Sequence, residues 1–332
     1  MTVTSLSVLI CTYNRAQLLG ETLAALTRCA RPPGVRLEIV VVNNRSTDDT
    51  RLTVERAAAG SPIPIHYAEE MQPGKAFALN HGLTIVSGDV VALTDDDVIP
   101  CVDWIARMAA AFEGRDITFA FGRILPRWPS TRQSAAALIG GHQEIWGPFG
   151  LVDYGRELTE YPPDRLHEQR LPMGANVGFR RDVLLRAGGW RSDLGKPDGS
   201  LIQGEDHEIM LRLWKLGLYN GLYDPEMTVA HYIRPETTTP QYFRRWFFSN
   251  GRSVARMDRE YFSVSYNLDV TQVPRLLGVP RFLFRETLHE IRHWGQSLLR
   301  GDAERRFVHE LLALRHLGTI TEYWRRGLSR VS

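Results

Sequence analysis

Three consecutive aspartates, Asp95, Asp96 and Asp97, close the apolar run Asp89 to Leu93. Carboxylates crowded in this way repel unless a cation joins them. Oxygen ligands select hard divalent ions, and Mg²⁺ is usually held by one or two carboxylates together with substrate phosphates. The triplet therefore reads as a site for Mg²⁺ or Mn²⁺ against a phosphate group, with helix capping by Asp97 as the plain alternative. A second acidic pair, Glu205-Asp206, opens a helical pattern that carries Ile209, Leu213 and Leu216. Acidic residues complement a helix N-terminus. A carboxylate there can also take the proton of an attacking hydroxyl, whose own pKa is too high for attack at neutral pH. Arg15 and Lys75 could offset negative charge on a departing group, or be solvated side chains. Lone histidines such as His231 are more often core residues than ligands.

These residues need a frame. Short apolar runs at Leu6–Ile10, Leu37–Val42, Ile63–Tyr67 and Asp89–Leu93 alternate with helical patterns at Ala16–Cys29, Asp48–Ala59 and Lys75–Val86. Strands this apolar, separated by helices, predict an α/β fold: a mostly parallel sheet with helices on both faces. Ligands in such sheets bind beyond the carboxyl ends of the strands. The polar clusters Thr12 to Arg15, Asn43 to Asp48 and Asp95 to Asp97 stand at those ends. Arg123 to Pro172 reads as irregular loops that could form a lid, Thr228–Ile233 as a short strand, and the chain beyond Thr239 as helical.

The chain has 332 residues and a net charge of +2, too balanced to imply nucleic acid. Its last segment, 271–332, carries 11 Arg against 6 Asp and Glu, a net of +5. Three cysteines, Cys11, Cys29 and Cys101, are too few for a disulfide framework, so a reducing cytoplasm is expected. No basic leader and no run of 18 apolar residues is present, so neither a signal peptide nor a membrane span is expected.

The ordered set Thr12-Tyr13-Asn14-Arg15, Asn43 to Asp48, Pro73-Gly74-Lys75 with Ala78-Leu79-Asn80, and Asp95-x-Asp97 resembles the family-2 glycosyltransferases of the GT-A fold. Gly174-Ala175-Asn176, Gly204-Glu205-Asp206 and His231 continue the likeness. It spans about two thirds of the chain. The resemblance implies a GT-A-like catalytic domain over 1–235, and the helical pattern after it a C-terminal helical extension over 236–332. It implies a nucleotide diphosphate sugar donor, a UDP-sugar first among them, and a hydroxyl acceptor.

Residue by residue, it places Thr12, Tyr13, Asn14 and Arg15 in the nucleotide pocket, Asn43 and Asp48 near base and ribose, and Lys75 and Asp96 beside the donor. Asp95 would face ribose and metal, Asp97 would be the main metal ligand, and His231 a third. Asp206, beside Glu205, would be the general base of a single displacement that inverts the anomeric centre. Asn43 stands where the family often has Asp, and an amide offers donors as well as an acceptor, so base contacts would differ. Gly174, Ala175 and Asn176 would lie near sugar or acceptor, the small residues letting backbone approach. Trp190 could stack on an acceptor ring or pack in the core.

Other readings compete. A sugar nucleotidyltransferase would use the same strand-end ions but release pyrophosphate, and a non-catalytic sugar-nucleotide binder would show no turnover. His289-Glu290-Ile291-Arg292-His293 matches the zinc-protease pattern H-E-x-x-H, with Glu310 as the only plausible third ligand, and ranks far below the transferase. Gln241 to Trp246 resembles the Q-x-x-R-W motif of processive synthases but is one residue out of register. The basic segment 271–332 suits a helical subdomain, a second subunit in a homo-oligomer, or peripheral contact with the inner face of a cell membrane.

Overall fold

The computed structural model describes residues 2–129, 142, 145–166, 170–196, 200–257 and 272–328. The chain divides into two compact units. The first comprises Met1–Arg127, Gly150–Gly199 and Glu205–Tyr232. The second takes Trp128–Phe149, Ser200–Gly204 and Ile233–Ser332, so it draws on two excursions from the middle of the chain as well as the C-terminal part.

The first unit contains β1 (Ser5–Thr12), α1 (Ala16–Thr27), β2 (Arg36–Asn43), α2 (Thr50–Ala59), β3 (Ile65–Glu69), α3 (Lys75–Ile85), β4 (Val90–Asp95) and β5 (Val98–Pro100). It continues with α4 (Trp104–Phe112), β6 (Phe119–Arg127), β7 (Thr159–Tyr161), β8 (Asn176–Arg180), α5 (Arg181–Ala187), α6 (Glu205–Lys215) and β9 (Gly221–Tyr232). One sheet runs in the order β3-β2-β1-β4-β8-β6-β9-β5, with β7 paired to β9. Its first four strands are all parallel. β8 lies antiparallel between β4 and β6. The fold is the α/β class, a mostly parallel sheet with helices and a C-terminal helical region, that the sequence predicts.

Leu6, Leu9, Ile10, Val40, Val41, Val42, Val90 and Val91 are all fully buried. Each such side chain contributes about 1.5–3 kcal/mol relative to exposure. In β1, β2 and β4 this burial covers both faces and directs most polar chemistry to the strand ends.

The structure adds elements that the sequence pattern hides. β6 occupies the start of the region expected to be irregular, because its run Phe119-Ala120-Phe121-Gly122-Arg123 breaks apolar periodicity with Gly122 and Arg123. β9 begins seven residues before the strand expected from Thr228, across Asp224-Pro225-Glu226, where a register shift against β6 absorbs the irregularity. Residues 130–141, 143–144 and 167–169 of the expected lid lie outside the described residues.

The second unit contains α7 (Pro240–Met257), the short strands β10 (Arg275–Leu276) and β11 (Val279–Pro280), α8 (Arg281–Leu299) and α9 (Ala303–Leu328). Thr319 on α9 donates to the Gly251 carbonyl of α7 at 2.9 Å. Glu322 on α9 is fully buried and accepts from Arg252 and Arg256 of α7 at 2.9 and 3.0 Å and from Arg325. Among the described residues, no helix is long and apolar enough to cross a membrane.

Candidate functional site

β4 ends at Asp95, and the next two residues turn into β5. Antiparallel pairing sets Val98 of β5 opposite His231 of β9, and the Tyr232 N–H donates to the Asp97 carbonyl at 2.9 Å. This pairing brings a histidine from far along the chain to the acid triplet: His231 Nε2 lies 3.2 Å from Asp97 Oδ1. From the β1 end, one nitrogen of Arg15 donates to Asp96 at 2.6 Å and to Asp97 at 2.8 Å. At the start of α3, Lys75 Nζ donates to Asp95 at 2.9 Å.

Asp96 and Asp97 are buried, each 3% exposed. Burial drives the Asp96 carboxyl above its usual range against the pull of Arg15. For Asp95 burial pushes upward too, but the Lys75 ammonium outweighs it and holds the group low. Lys75 is held well above its ordinary value: burial opposes its charge, and Asp95, Asp206 and Glu205 more than restore it. Lys75 thus feels both acidic clusters at once.

Asp95, Asp97 and His231 each offer a ligand atom, all within 4.8 Å of one another. Among the described residues they form the one such set. Two carboxylates and an imidazole fit a divalent ion.

Asp206 is half-buried in the first turn of α6 and accepts the Gly174 N–H at 2.9 Å. A methyl group at Gly174 would come within 2.8 Å of that carboxylate and force it to move, so glycine lets the loop before β8 approach it undisturbed. Glu205 is buried beside it, and its Oε2 has no hydrogen-bond partner among the described residues. Desolvation, then the Asp206 charge, raises the Glu205 pKa.

Several residues expected at the site stitch its walls together. Asn14 sits at φ 51° and accepts the Thr47 N–H at 2.7 Å, while its own N–H donates to Ser46 Oγ. Asp48 accepts the Ala16 N–H at the start of α1 and the Thr50 N–H at the start of α2. Asn43 donates to Tyr67 Oη and accepts from the Ser46 N–H. Thr12 is buried, whereas Tyr13 is 58% exposed at the strand end. Any nucleotide contact of Asn14, Asn43 or Asp48 would be additional to these bonds.

Asn176 and Trp190 point elsewhere. Asn176 is fully buried, accepts Trp104 Nε1–H, and donates to the Arg123 and Met227 carbonyls. It has no donor left for a sugar. Trp190 is 3% exposed, and its backbone is clamped by Asn80, which accepts its N–H at 2.8 Å and donates to its carbonyl at 2.7 Å. It presents no open ring face for stacking. The Ala175 carbonyl accepts from Thr94, fixing the loop to β4.

Lys196 is not among the site residues that the sequence predicts. It lies in the loop before α6 at φ 57°, next to Gly195, whose carbonyl accepts the Lys75 N–H at 2.7 Å. The residue is exposed, with the charges of Lys75 and Arg15 and of Glu205 and Asp95 around it. Its charge feels Glu205 and Asp95, without a hydrogen bond or ion pair to either among the described residues. The available signal was its position ten residues before Asp206, in a loop without periodicity.

In the H-E-x-x-H segment His289 and His293 lie with ring centroids 4.3 Å apart and His309 stacks on His293 at 5.2 Å, but among the described residues they do not form a set of metal-ligand atoms. Glu290 and His309 pair at 2.7 Å, and Glu310 pairs with Arg244. All three cysteines are unpaired thiols.

Residues 7–184 match the family model described as Glycosyl transferase family 2. A glucosyl-dolichyl phosphate glucuronosyltransferase of Haloferax volcanii is 23% identical over 258 residues, 77% of this chain and 78% of that protein. Among solved structures, the mannosyltransferase PcManGT from Pyrobaculum calidifontis, in complex with GDP-Man and Mn²⁺, superposes with a TM-score of 0.59 at 18% identity, over 96% of this chain and 88% of that one. TarS 1–349 of S. aureus, in complex with UDP-GlcNAc, gives 0.52 at 14% identity, over 97% and 92%. At these identities the structural likeness establishes the fold.

Proposed function

The chain belongs to glycosyl transferase family 2 and is a glycosyltransferase, and we propose that it moves a sugar from a nucleoside diphosphate sugar to an acceptor hydroxyl, with inversion and with a divalent ion. The observation that carries this reading is the convergence of Asp95, Asp97 and His231 within 4.8 Å, flanked by Arg15 and Lys75. Solved GT-A neighbours in complex with GDP-Man and Mn²⁺ or with UDP-GlcNAc support the donor class and leave the base open.

Asp95, Asp97 and His231 would hold the ion, which when bound supplies Lewis-acid neutralisation of the diphosphate. Arg15, Lys75 and Lys196 oppose the same developing charge from the protein side. Asp206, held by the Gly174 N–H, accepts the acceptor hydroxyl proton. That oxygen bonds to the anomeric carbon as the bond from this carbon to the diphosphate oxygen breaks. The nucleoside diphosphate leaves with the bonding pair. A carboxylate placed for the acceptor and a single displacement predict inversion.

A thermal-shift panel of nucleotide sugars with and without Mn²⁺ tests the donor class. Stabilisation that needs both partners is expected, and stabilisation by neither would overturn the reading. NMR of the first-formed product assigns the anomer. A nucleoside diphosphate product supports transfer, whereas pyrophosphate would mark a nucleotidyltransferase.

A further inference from the structure

α8 turns its most apolar side to solvent. Leu283, Thr287 and Ser297 are its buried residues, and Glu290 reaches His309 of α9, so the packed side is largely polar. Leu288 is 66% exposed, Ile291 49% and Leu298 47%. Phe284, Leu288, Ile291 and Leu298 recur at helical spacing and share one line, with Trp294 at its edge and Leu299 fully in solvent. Arg281, Arg285 and Arg292 recur at i, i+4 and i+11 and form a second exposed line beside it. Among them Arg285 pairs with its neighbour Glu286 in an exposed contact that contributes little.

We propose that this face of α8 docks in the plane of an anionic lipid bilayer, with Leu288, Ile291 and Leu298 in the acyl boundary and the arginine line on the headgroups. The 19-residue helix is about 28 Å long, enough for a continuous contact lying flat. The choice of occupant rests on charge. The segment 271–332 carries a net of +5, with Arg281, Arg285 and Arg292 against Glu286 and Glu290 on α8 itself, an excess that anionic headgroups would neutralise. A second copy docked on the same face would bring two arginine rows together and repel. This inference concerns the second unit alone and stands apart from the donor site.

Flotation of the full-length chain with vesicles rich in phosphatidylglycerol, against pure phosphatidylcholine, tests it. Binding to the anionic vesicles alone, weakened by salt, is expected. Replacing Arg281, Arg285 and Arg292 by Gln should lower partitioning on the order of a hundred-fold. The pair Leu288→Ser and Ile291→Ser should lower it at least roughly tenfold, with Tm unchanged because both side chains are exposed. Three outcomes overturn the proposal: no flotation with anionic vesicles, equal binding to neutral ones, or a dimer in sedimentation that Ile291→Ser dissolves. Donor-induced stabilisation measured without vesicles reports the catalytic reading separately.

Discussion

The Asp206 carboxylate and the Gly174 backbone are locked together: the N–H donates at 2.9 Å, and a Cβ on Gly174 would lie 2.8 Å from the nearer carboxylate oxygen. The loop before β8 therefore orients the base, and a side chain at 174 would push the carboxylate aside. Gly174→Ala should displace the carboxylate and lower kcat about a hundred-fold, with donor affinity retained. Asp206→Asn should lower it about 10²–10⁴-fold, again with donor binding intact. Steady-state kinetics alongside donor titration checks both, and normal turnover of Asp206→Asn would place the base elsewhere.

Lys75 and Lys196 differ in what they hold. Lys75 pairs with Asp95 and also feels Asp206 and Glu205. Lys75→Ala should cost about a hundred-fold in kcat through lost charge neutralisation. Lys196 is exposed, and its contribution is screened, so Lys196→Ala should raise donor KM by about five- to tenfold and leave Tm unchanged. An unchanged KM would remove Lys196 from the donor site.

Glu205 should register in stability against pH. Its folded-state pKa is raised, first by burial and then by Asp206. The stability this group contributes is full below the ordinary glutamate pKa and is lost as pH rises through the folded value. Glu205→Gln should therefore melt a few degrees higher than the parent at pH 8, with the gap closing as pH falls toward about 4. Thermal melts across that range measure it, and a gap that widens on acidification would contradict the assignment.

Glu322 gives the opposite sign in the helical unit. Burial opposes its charge, but Arg325, Arg252 and Arg256 hold its pKa below the usual carboxylate range. Removing it leaves those arginines facing one another, so Glu322→Ala should destabilise by about 3 kcal/mol at pH 7. The parent's advantage is present above the ordinary glutamate pKa and shrinks as pH falls below about 4. Melting or denaturant curves would show it.

Much of this site could be read before the fold was seen, because strand-end chemistry is local. Asp95 and Asp97 follow an apolar run, and Arg15 and Lys75 each open a helix, so type and position coincide in sequence. Asn176, Trp190 and Lys196 were less legible because their surroundings come from distant segments. Asn176 is saturated by Trp104, Arg123 and Met227, which no local pattern reveals. The arginines of α7 that surround Glu322 lie about 70 residues away from it. The stripe Phe284, Leu288, Ile291 and Leu298 was visible as a helical face, but which side packs depends on α9.

The central claim is that Asp95, Asp97 and His231 hold a divalent ion against a diphosphate. Calorimetric titration of the chain with GDP and with UDP, each in Mn²⁺ and in chelator, tests it directly, with Asp97→Ala measured in parallel. The account predicts nucleotide binding in Mn²⁺ that falls at least about tenfold in chelator and in Asp97→Ala. Equal affinity in chelator, with Asp97→Ala indistinguishable from the parent, would contradict it.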